Sequence, residues 1–341
     1  MLRSLLLVMC GSYLVGLSVY LVLRQWLGDQ FWWLALINVF FVWIFAPLIL
    51  TVPLLVALRN RPLLLYAIVL SAAAALHFSS YLVPKAHATT GGTSIKIVTF
   101  NTWPDNPHMD QVEAWLRTTN ADVVFLQENP RHPPKNDVAA LRDLYPYQFV
   151  QPRWDDILLL SKFPFESTES FVTAPEGITI QQRAVIKIRD QQVALYNIHL
   201  EIPFGDHPRL PARLRSLPFM GRLAFATAYD DASRNSEIDQ IVTRLNAELL
   251  PYIMCGDFNL SDSSMPYYRL AAFMGDSFRE AGTGFGLSWP VAQIQNLPAF
   301  VPTLVRMDYV WHSAVFTAVD ATQGPFLGSD HLPVVVTLVL K

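Results

Sequence analysis

Eight residues of this chain share a local setting that suits chemistry. Each lies at or just past one end of a β-rich run: Asn101 in IVTFNTW, Glu128 in VVFLQEN, His199 in LYNIHLE, Asp257 and Asn259 in MCGDFNL, Asp308 in RMDYVW, and Asp330 with His331 in GSDHLPV. Strand ends bring side chains from distant parts of a chain to one rim. These residue types match the cleavage of a phosphate ester, whose oxygens already carry the negative charge that repels a nucleophile. A hard cation with oxygen ligands neutralises that charge and positions the ester. Glu128 and Asp330 are suitable carboxylate ligands, and Asp257 is a candidate to orient or deprotonate an attacking water. Asn101 and Asn259 can donate to phosphate oxygens or hold neighbouring carboxylates. His199 and His331 can each give a proton or a hydrogen bond to developing charge. Asp308 is typed to orient a histidine, and His331 suits it best.

Taken singly, none of these carries weight, because an Asp or Asn after a strand is more often a turn or helix cap. The combination and its order are hard to explain that way. The set resembles the endonuclease/exonuclease/phosphatase superfamily over about residues 95–340, in a membrane-anchored, bacterial-type member. GDFN and SDHLPV are the most specific pieces, and SKFP at 161–164 is a further match. That superfamily includes deoxyribonuclease I, abasic-site endonucleases, sphingomyelinases and inositol-polyphosphate 5-phosphatases. The resemblance implies that Glu128 binds magnesium or manganese with help from Asn101, and that Asp257 and Asn259 act on water and phosphate. It implies that Asp308 supports His331, and that His199 is the acid seen in deoxyribonuclease-like and sphingomyelinase-like members. Arg234, Glu237 and Gln240 follow a helical i, i+3, i+6 spacing, and the family often has a helix here with Arg and Gln near the site. Arg234 is therefore a substrate-binding candidate, the alternative being a solvated face with an internal ion pair. Arg183 is read as surface charge, and Trp289 with Pro290 in GLSWP as one wall of a substrate cleft or as ordinary packing.

These residues need strands to carry them. Alternating or continuous apolar runs predict strands over 95–100, 122–127, 157–161, 184–188, 193–199, 252–255, 307–312 and 332–340. Helical spacing is read over 109–120, 137–144 and 232–249, where Ile238, Ile241, Val242 and Leu245 form one stripe. Strands outnumber helices and follow one another, which favours a layered α+β domain over an alternating doubly wound sheet. The expected fold is a four-layer α/β sandwich, two packed β-sheets flanked by helices, preceded by three transmembrane helices.

The first part of the chain differs in kind. The whole sequence is 16% charged, against about 25% in an average soluble domain. Residues 1–83 hold one acidic residue, Asp29. Apolar runs at 4–23, 31–58 and 63–83 are each about 20 residues or longer, enough to cross roughly 30 Å of hydrocarbon as helix. Trp26, Trp32, Trp33, Tyr66 and Tyr81 lie near their ends, as interfacial aromatics do. A cleaved signal peptide is the alternative for the first run, but no small-residue cleavage site follows it. Residues 1–83 are read as a three-helix membrane anchor, 84–94 as a linker and 95–341 as the catalytic domain. Arg3, Arg59 and Arg61 put the N-terminus in the cytoplasm by the positive-inside rule. Three spans then carry the catalytic domain to the periplasmic or extracytoplasmic face of an inner or plasma membrane. His77 is read as a helix-packing residue, since no acidic partner lies in the spans.

A net charge of −3 gives no global basic character that would single out nucleic acid. Cys10 and Cys255 do not suggest a disulfide framework. After His199 the chain mixes Arg209, Arg213, Arg215 and Arg222 with Leu210, Leu214, Phe219 and Phe225, a pattern that suits a lid or dock on an anionic membrane surface; a packed surface insertion is the alternative. The reading that results is a magnesium- or manganese-dependent phosphoesterase. Its partners are a membrane and a phosphoester, either a lipid head group or a nucleic acid, with no obligate protein partner evident. A membrane-anchored nuclease is the alternative within the class. A non-catalytic membrane sensor or scaffold is the alternative outside it, and the intact set of acidic residues speaks against that.

Overall fold

The computed structural model describes residues 1–83, 85, 91–130, 138–150, 157–173, 180–204, 226–295, 297–298 and 300–341. The chain divides into two compact units, one built mainly of Met1–Val83 and the other holding Pro84–Phe204, Asp230–Asp262 and Pro266–Lys341.

In the first unit, α1 (Leu2–Leu27) and α5 (Arg61–Leu82) are each long and apolar enough to cross a membrane. Asn60 caps α5 by accepting from the Leu63 amide, with Pro62 following in the first turn. The run at 31–58 is not the single helix that was expected. It breaks into α2 (Trp32–Val39), α3 (Phe41–Ile44) and α4 (Leu48–Ala57), and the two arms meet at an angle of 83° near Phe40. The two arms qualify as a span only when taken together. Pro47 has no amide to donate and cannot continue an α-helix. Around it the bonds tighten to i→i−3, with Ala46 donating to Trp43 at 3.1 Å and Leu48 to Phe45 at 3.0 Å. Polar side chains knit this apolar unit. Tyr20 donates to Asn38 at 2.7 Å, Asn38 donates to Asp29 at 2.6 Å, and Tyr66 donates to the Leu14 carbonyl at 3.2 Å. His77 stands edge-on to Phe41, with ring centres 5.3 Å apart, in keeping with a packing role.

The second unit contains two six-stranded sheets. The strands are β1 (Thr93–Asn101), β2 (Val123–Gln127), β3 (Tyr147–Val150), β4 (Leu158–Ser161), β5 (Phe165–Val172), β6 (Ile180–Ile188), β7 (Gln191–His199), β8 (Tyr252–Asp257), β9 (Gly275–Asp276), β10 (Asp308–His312), β11 (Phe316–Gln323) and β12 (Val334–Leu340). One sheet runs β11-β12-β1-β2-β4-β3 and the other β5-β6-β7-β8-β10-β9. Both are mixed: β1 is parallel to β2 and β7 to β8, while the other pairs are antiparallel.

Strand parity builds the layers. Ile95 and Ile97 of β1, Val193 and Leu195 of β7, and Ile253 and Cys255 of β8 fill the space between the sheets. The alternate residues Val98 and Phe100 face outward onto Val112 and Leu116 of α6 (Met109–Thr119). On the far side, Tyr196, Met254, Tyr309 and Trp311 meet Ile238, Ile241 and Leu245 of α7 (Ala232–Ala247) and Tyr267 of α8 (Met265–Ala271). The order helix, sheet, sheet, helix is the expected sandwich of two packed sheets flanked by helices.

Several local expectations need correction. The helix read over 137–144 is a 3-10 turn, Val138–Leu141. The strands β3, β5, β9 and β11 were not foreseen, nor were α8 and a short helix α9 (Ser277–Ala281). Strand β1 starts at Thr93, inside the segment read as linker; most of that segment, and the Arg-rich stretch 205–225, lie outside the described residues.

Candidate active site

The same parity that buries the apolar residues carries polar ones to one end of the inter-sheet space. Asn101 follows Ile95 and Ile97 on the inward face of β1, Asn197 and His199 follow Leu195 on β7, and Asp257 follows Cys255 on β8. Asp308 precedes Val310 on β10, which runs antiparallel to β8, so Asp308 and Asp257 are paired in register. His199 and Asp257 are paired in register across the parallel strands β7 and β8. Gly256 makes that pairing possible. Its φ is 146°, and a Cβ there would sit 1.7 Å from the Ile198 carbonyl oxygen.

The side chains at this end touch one another. Asn101 Nδ2 donates to Asp257 Oδ2 at 2.9 Å, and the Asn259 amide donates to Asp257 Oδ1 at 2.9 Å. His331 lies with Nδ1 2.9 Å from Asp308 Oδ2 and Nε2 3.6 Å from Asp257 Oδ2. On the other side, His199 Nε2 is 3.4 Å from Glu128 Oε1 and 3.9 Å from Asp257 Oδ2. Asp257 is thus the hinge of two groups, Glu128–His199–Asp257 and Asp257–Asp308–His331, and within each the ligand-type atoms lie within 4.8 Å of one another. Glu128 sits at a left-handed φ of 51°, and its side chain, 27% exposed, is the open carboxylate of the set.

Burial decides the electrostatics. Loss of water pushes the Asp257 carboxyl above its ordinary value, against the opposing pull of His331 and then His199. For His331 burial works against the charge, but Asp308 and Asp257 outweigh it and push the imidazole up to about 10. His331 is therefore a proton-bearing donor at neutral pH, held by Asp308 with its other nitrogen toward Asp257.

The expected residues do not all arrive at the same place. Asn101, Glu128, His199, Asp257, Asp308 and His331 come together. Asp330 lies outside both groups, and its Oδ2 accepts from Trp289 Nε1 at 3.2 Å and Gln295 Nε2 at 3.0 Å. Asn259 is buried at a left-handed φ of 48° and donates to the Leu200 carbonyl at 2.8 Å, so it stitches its turn to the end of β7. Arg234 is buried rather than on a solvated face, and its Nη1 donates to the Asn259 carbonyl at 2.5 Å. It braces the same turn from behind. Glu237 is also buried and accepts from Thr173 Oγ1 at 2.7 Å and the Glu201 amide at 2.8 Å, whereas Gln240 is exposed. Arg183, read as surface charge, is half-buried in a 2.8 Å pair with Glu248.

Other supporting residues went unread in the sequence. Gln127 donates to Asn197 at 2.7 Å, and Asn197 donates to the Leu158 carbonyl at 3.0 Å, joining the two sheets just beneath the site. Both are polar residues at inward positions of otherwise apolar strands, which is the signal that could have found them. Gln181 brackets the His199 backbone, accepting from its amide at 2.7 Å and donating to its carbonyl at 2.9 Å. Ser329, the first residue of the SDHLPV motif, donates to the Asn101 carbonyl at 2.7 Å and accepts from the His331 amide at 3.0 Å, a role the sequence did not assign it.

Residues 98–331 match the profile of the endonuclease/exonuclease/phosphatase family, more than half of the chain. The chain belongs to that family. Solved structures of the fold agree. The endonuclease/exonuclease/phosphatase from Bacteroides vulgatus is 18% identical, with 73% of this chain and 100% of that one covered and a TM-score of 0.55. A family protein from Bacteroides thetaiotaomicron is 13% identical, covering 74% and 100%, with a TM-score of 0.53. Truncated Caenorhabditis elegans TDP2 is 18% identical, covering 72% and 98%, with a TM-score of 0.52. No curated protein sequence matches the chain. Family enzymes in general hydrolyse phosphate esters and use a divalent metal, and the donors here fit one. Glu128, Asp257 and Asn101 offer hard oxygens, and among the described residues Glu128 meets no cation except the His199 ring.

Proposed function

We propose that the chain is a membrane-anchored, divalent-metal-dependent phosphoesterase that hydrolyses a phosphodiester or phosphomonoester by in-line attack of water. The observation that carries this reading is the His331–Asp308 pair facing Asp257, with the open Glu128 carboxylate on the other side. Glu128 and Asn101 would hold magnesium or manganese, which when bound neutralises phosphate charge. Asp257, its carboxyl raised by burial, orients the water and takes its proton. His331 holds its proton on the side of the ester and donates a hydrogen bond to the charge that develops there, while Asp308 fixes the ring. His199, turned by Glu128, gives a proton to the leaving oxygen. The test is hydrolysis of bis(p-nitrophenyl) phosphate by the full chain in detergent with magnesium or manganese. Activity that survives unchanged in Glu128→Ala or His331→Ala would refute the assignment.

The substrate favoured is a phospholipid or other small phosphoester met at a membrane, because α1 and α5 suit a bilayer. The anchor is residues 1–83 and the catalytic domain 95–341. With the bent pair counted as one span, three crossings put the catalytic domain on the periplasmic or extracytoplasmic side. Alkaline phosphatase fused after Lys341 should then be active in a bacterial host; an inactive fusion would mean an even number of crossings.

A further inference from the structure

The 288–305 loop, in which residues 296 and 299 lie outside the described residues, is fastened to the ends of β10 and β12 by an unusual density of hydrogen bonds. At its base Ser288 Oγ accepts from the Met307 amide at 3.1 Å and the Asp308 amide at 3.3 Å. The Ser288 carbonyl accepts from the Leu332 amide at 2.9 Å, and the Asp330 carbonyl accepts from the Val291 amide at 2.8 Å. Trp289 and Val305 form a bridge, with Val305 donating to the Trp289 carbonyl at 2.7 Å. Main-chain bonds of this kind close a loop. They do not explain why two side chains, from Trp289 and from Gln295, both reach for one oxygen of a buried carboxylate.

That carboxylate belongs to Asp330, the residue directly before His331 in the chain. A hydrogen bond to an ionised acceptor is roughly twice as strong as a neutral one. Two such bonds on Oδ2 hold the Asp330 side chain to the loop. Its backbone is held separately, by Val291 and by Ser329, whose hydroxyl links the His331 amide to the Asn101 carbonyl. Displacement of a reacting group by about 1 Å can cost on the order of a hundredfold in rate. The ring of His331 must meet both Asp308 at 2.9 Å and Asp257 at 3.6 Å, so the peptide that carries it has little room to move.

We propose that Trp289 and Gln295 are positioning residues, which by donating together to Asp330 lock the 288–305 loop to the strand end that carries His331. Asp330 is the anchor of this clasp, through Oδ2. The inference rests on the phosphoesterase reading, in which His331 faces the ester. It also gives Trp289 a definite task, since the indole is held in place by its own N–H and so presents a fixed face at the base of the loop.

The experiment uses the full chain in detergent, bis(p-nitrophenyl) phosphate as probe and manganese as the varied metal. Trp289→Phe keeps an aromatic ring but removes the N–H along with part of the indole; Gln295→Ala deletes the other donor. Each should lower kcat about three- to tenfold, leave KM within about twofold, and leave the half-saturating manganese concentration unchanged. Wild-type kcat in both single variants would overturn the proposal. So would a weakening of manganese affinity equal to that of Glu128→Gln with kcat restored at saturating manganese, because the two donors would then serve the cation and not His331. Failure of the function itself reads differently: the unmodified chain would show no metal-dependent hydrolysis at all.

Discussion

The space between the two sheets has two ends of opposite character. At one end Ile95, Ile188, Val193 and Leu338 pack together. At the other, later inward positions of β1, β7 and β8 hold Asn101, Asn197, His199 and Asp257. The strands do not change, nor does the alternation that points these residues inward; only the residue types change along each strand. The apolar end supplies the stability that tolerates buried charge at the other, where desolvation would otherwise be prohibitive. One architecture thus serves as a core and, a few residues later, as the frame of the candidate site.

Four substitutions or conditions sharpen that contrast. The largest expected effect is at the polar end: His331→Ala should lower kcat for bis(p-nitrophenyl) phosphate by about a hundred- to ten-thousandfold, measured on variant that remains folded by circular dichroism. Next is the apolar end. Leu195→Ala should destabilise the protein by about 2–5 kcal/mol in denaturant titration while the folded fraction keeps its kcat. A loss of kcat as large as that of His331→Ala would erase the distinction between the two ends. Between them lies the polar bridge. Asn197→Ala strands the Gln127 amide and the Leu158 carbonyl and should cost about 1–3 kcal/mol, with a smaller fall in rate than at His331.

The smallest effect is a pH dependence. His331 is pushed up to about 10 in the folded chain, above its ordinary value of about 6.5. Its contribution to stability is therefore fully present below about pH 6.5 and is lost as pH rises through about 10. Asp257 is also raised, so its titration acts in the same direction, at lower pH. With chelator present, the melting temperature of the unmodified chain should fall between pH 7 and 10, and that of His331→Gln should fall less. Parallel curves would mean that the Asp308–His331 pair adds nothing to the fold.

The same contrast explains what could be read from sequence. Every interior strand of both sheets was legible, because each has apolar residues on one or both faces. The four strands that were missed, β3, β5, β9 and β11, are the four sheet edges. Phe165–Val172 reads FESTESFV and is exposed at most positions, and Phe316–Gln323 carries Asp320 and Gln323. An edge strand needs polar residues to discourage further pairing, and that need erases the alternation that identifies a strand. In the first unit the opposite happened. The run 31–58 is so uniformly apolar that hydropathy averages over its bend near Phe40, where no proline marks it; Pro47 lies at the later α3–α4 break, and Pro53 sits inside α4 without breaking it. At the candidate site, the carboxylates and imidazoles that meet there were legible from their motifs. Their partners were less so, since Ser288, Gln181 and Gln295 are ordinary residues until distant chain segments meet them.

Gly256 sets the tolerance of the whole arrangement to mutation. With no room for even a methyl group against the Ile198 carbonyl, any other residue there would wedge β7 from β8 at the rung where His199 and Asp257 face each other. In a library randomised at every codon, position 256 should be among the most depleted under selection for activity, although it has no side chain to lose. Cys255, one residue earlier and fully enclosed by apolar neighbours, should accept small aliphatic replacements in the same library.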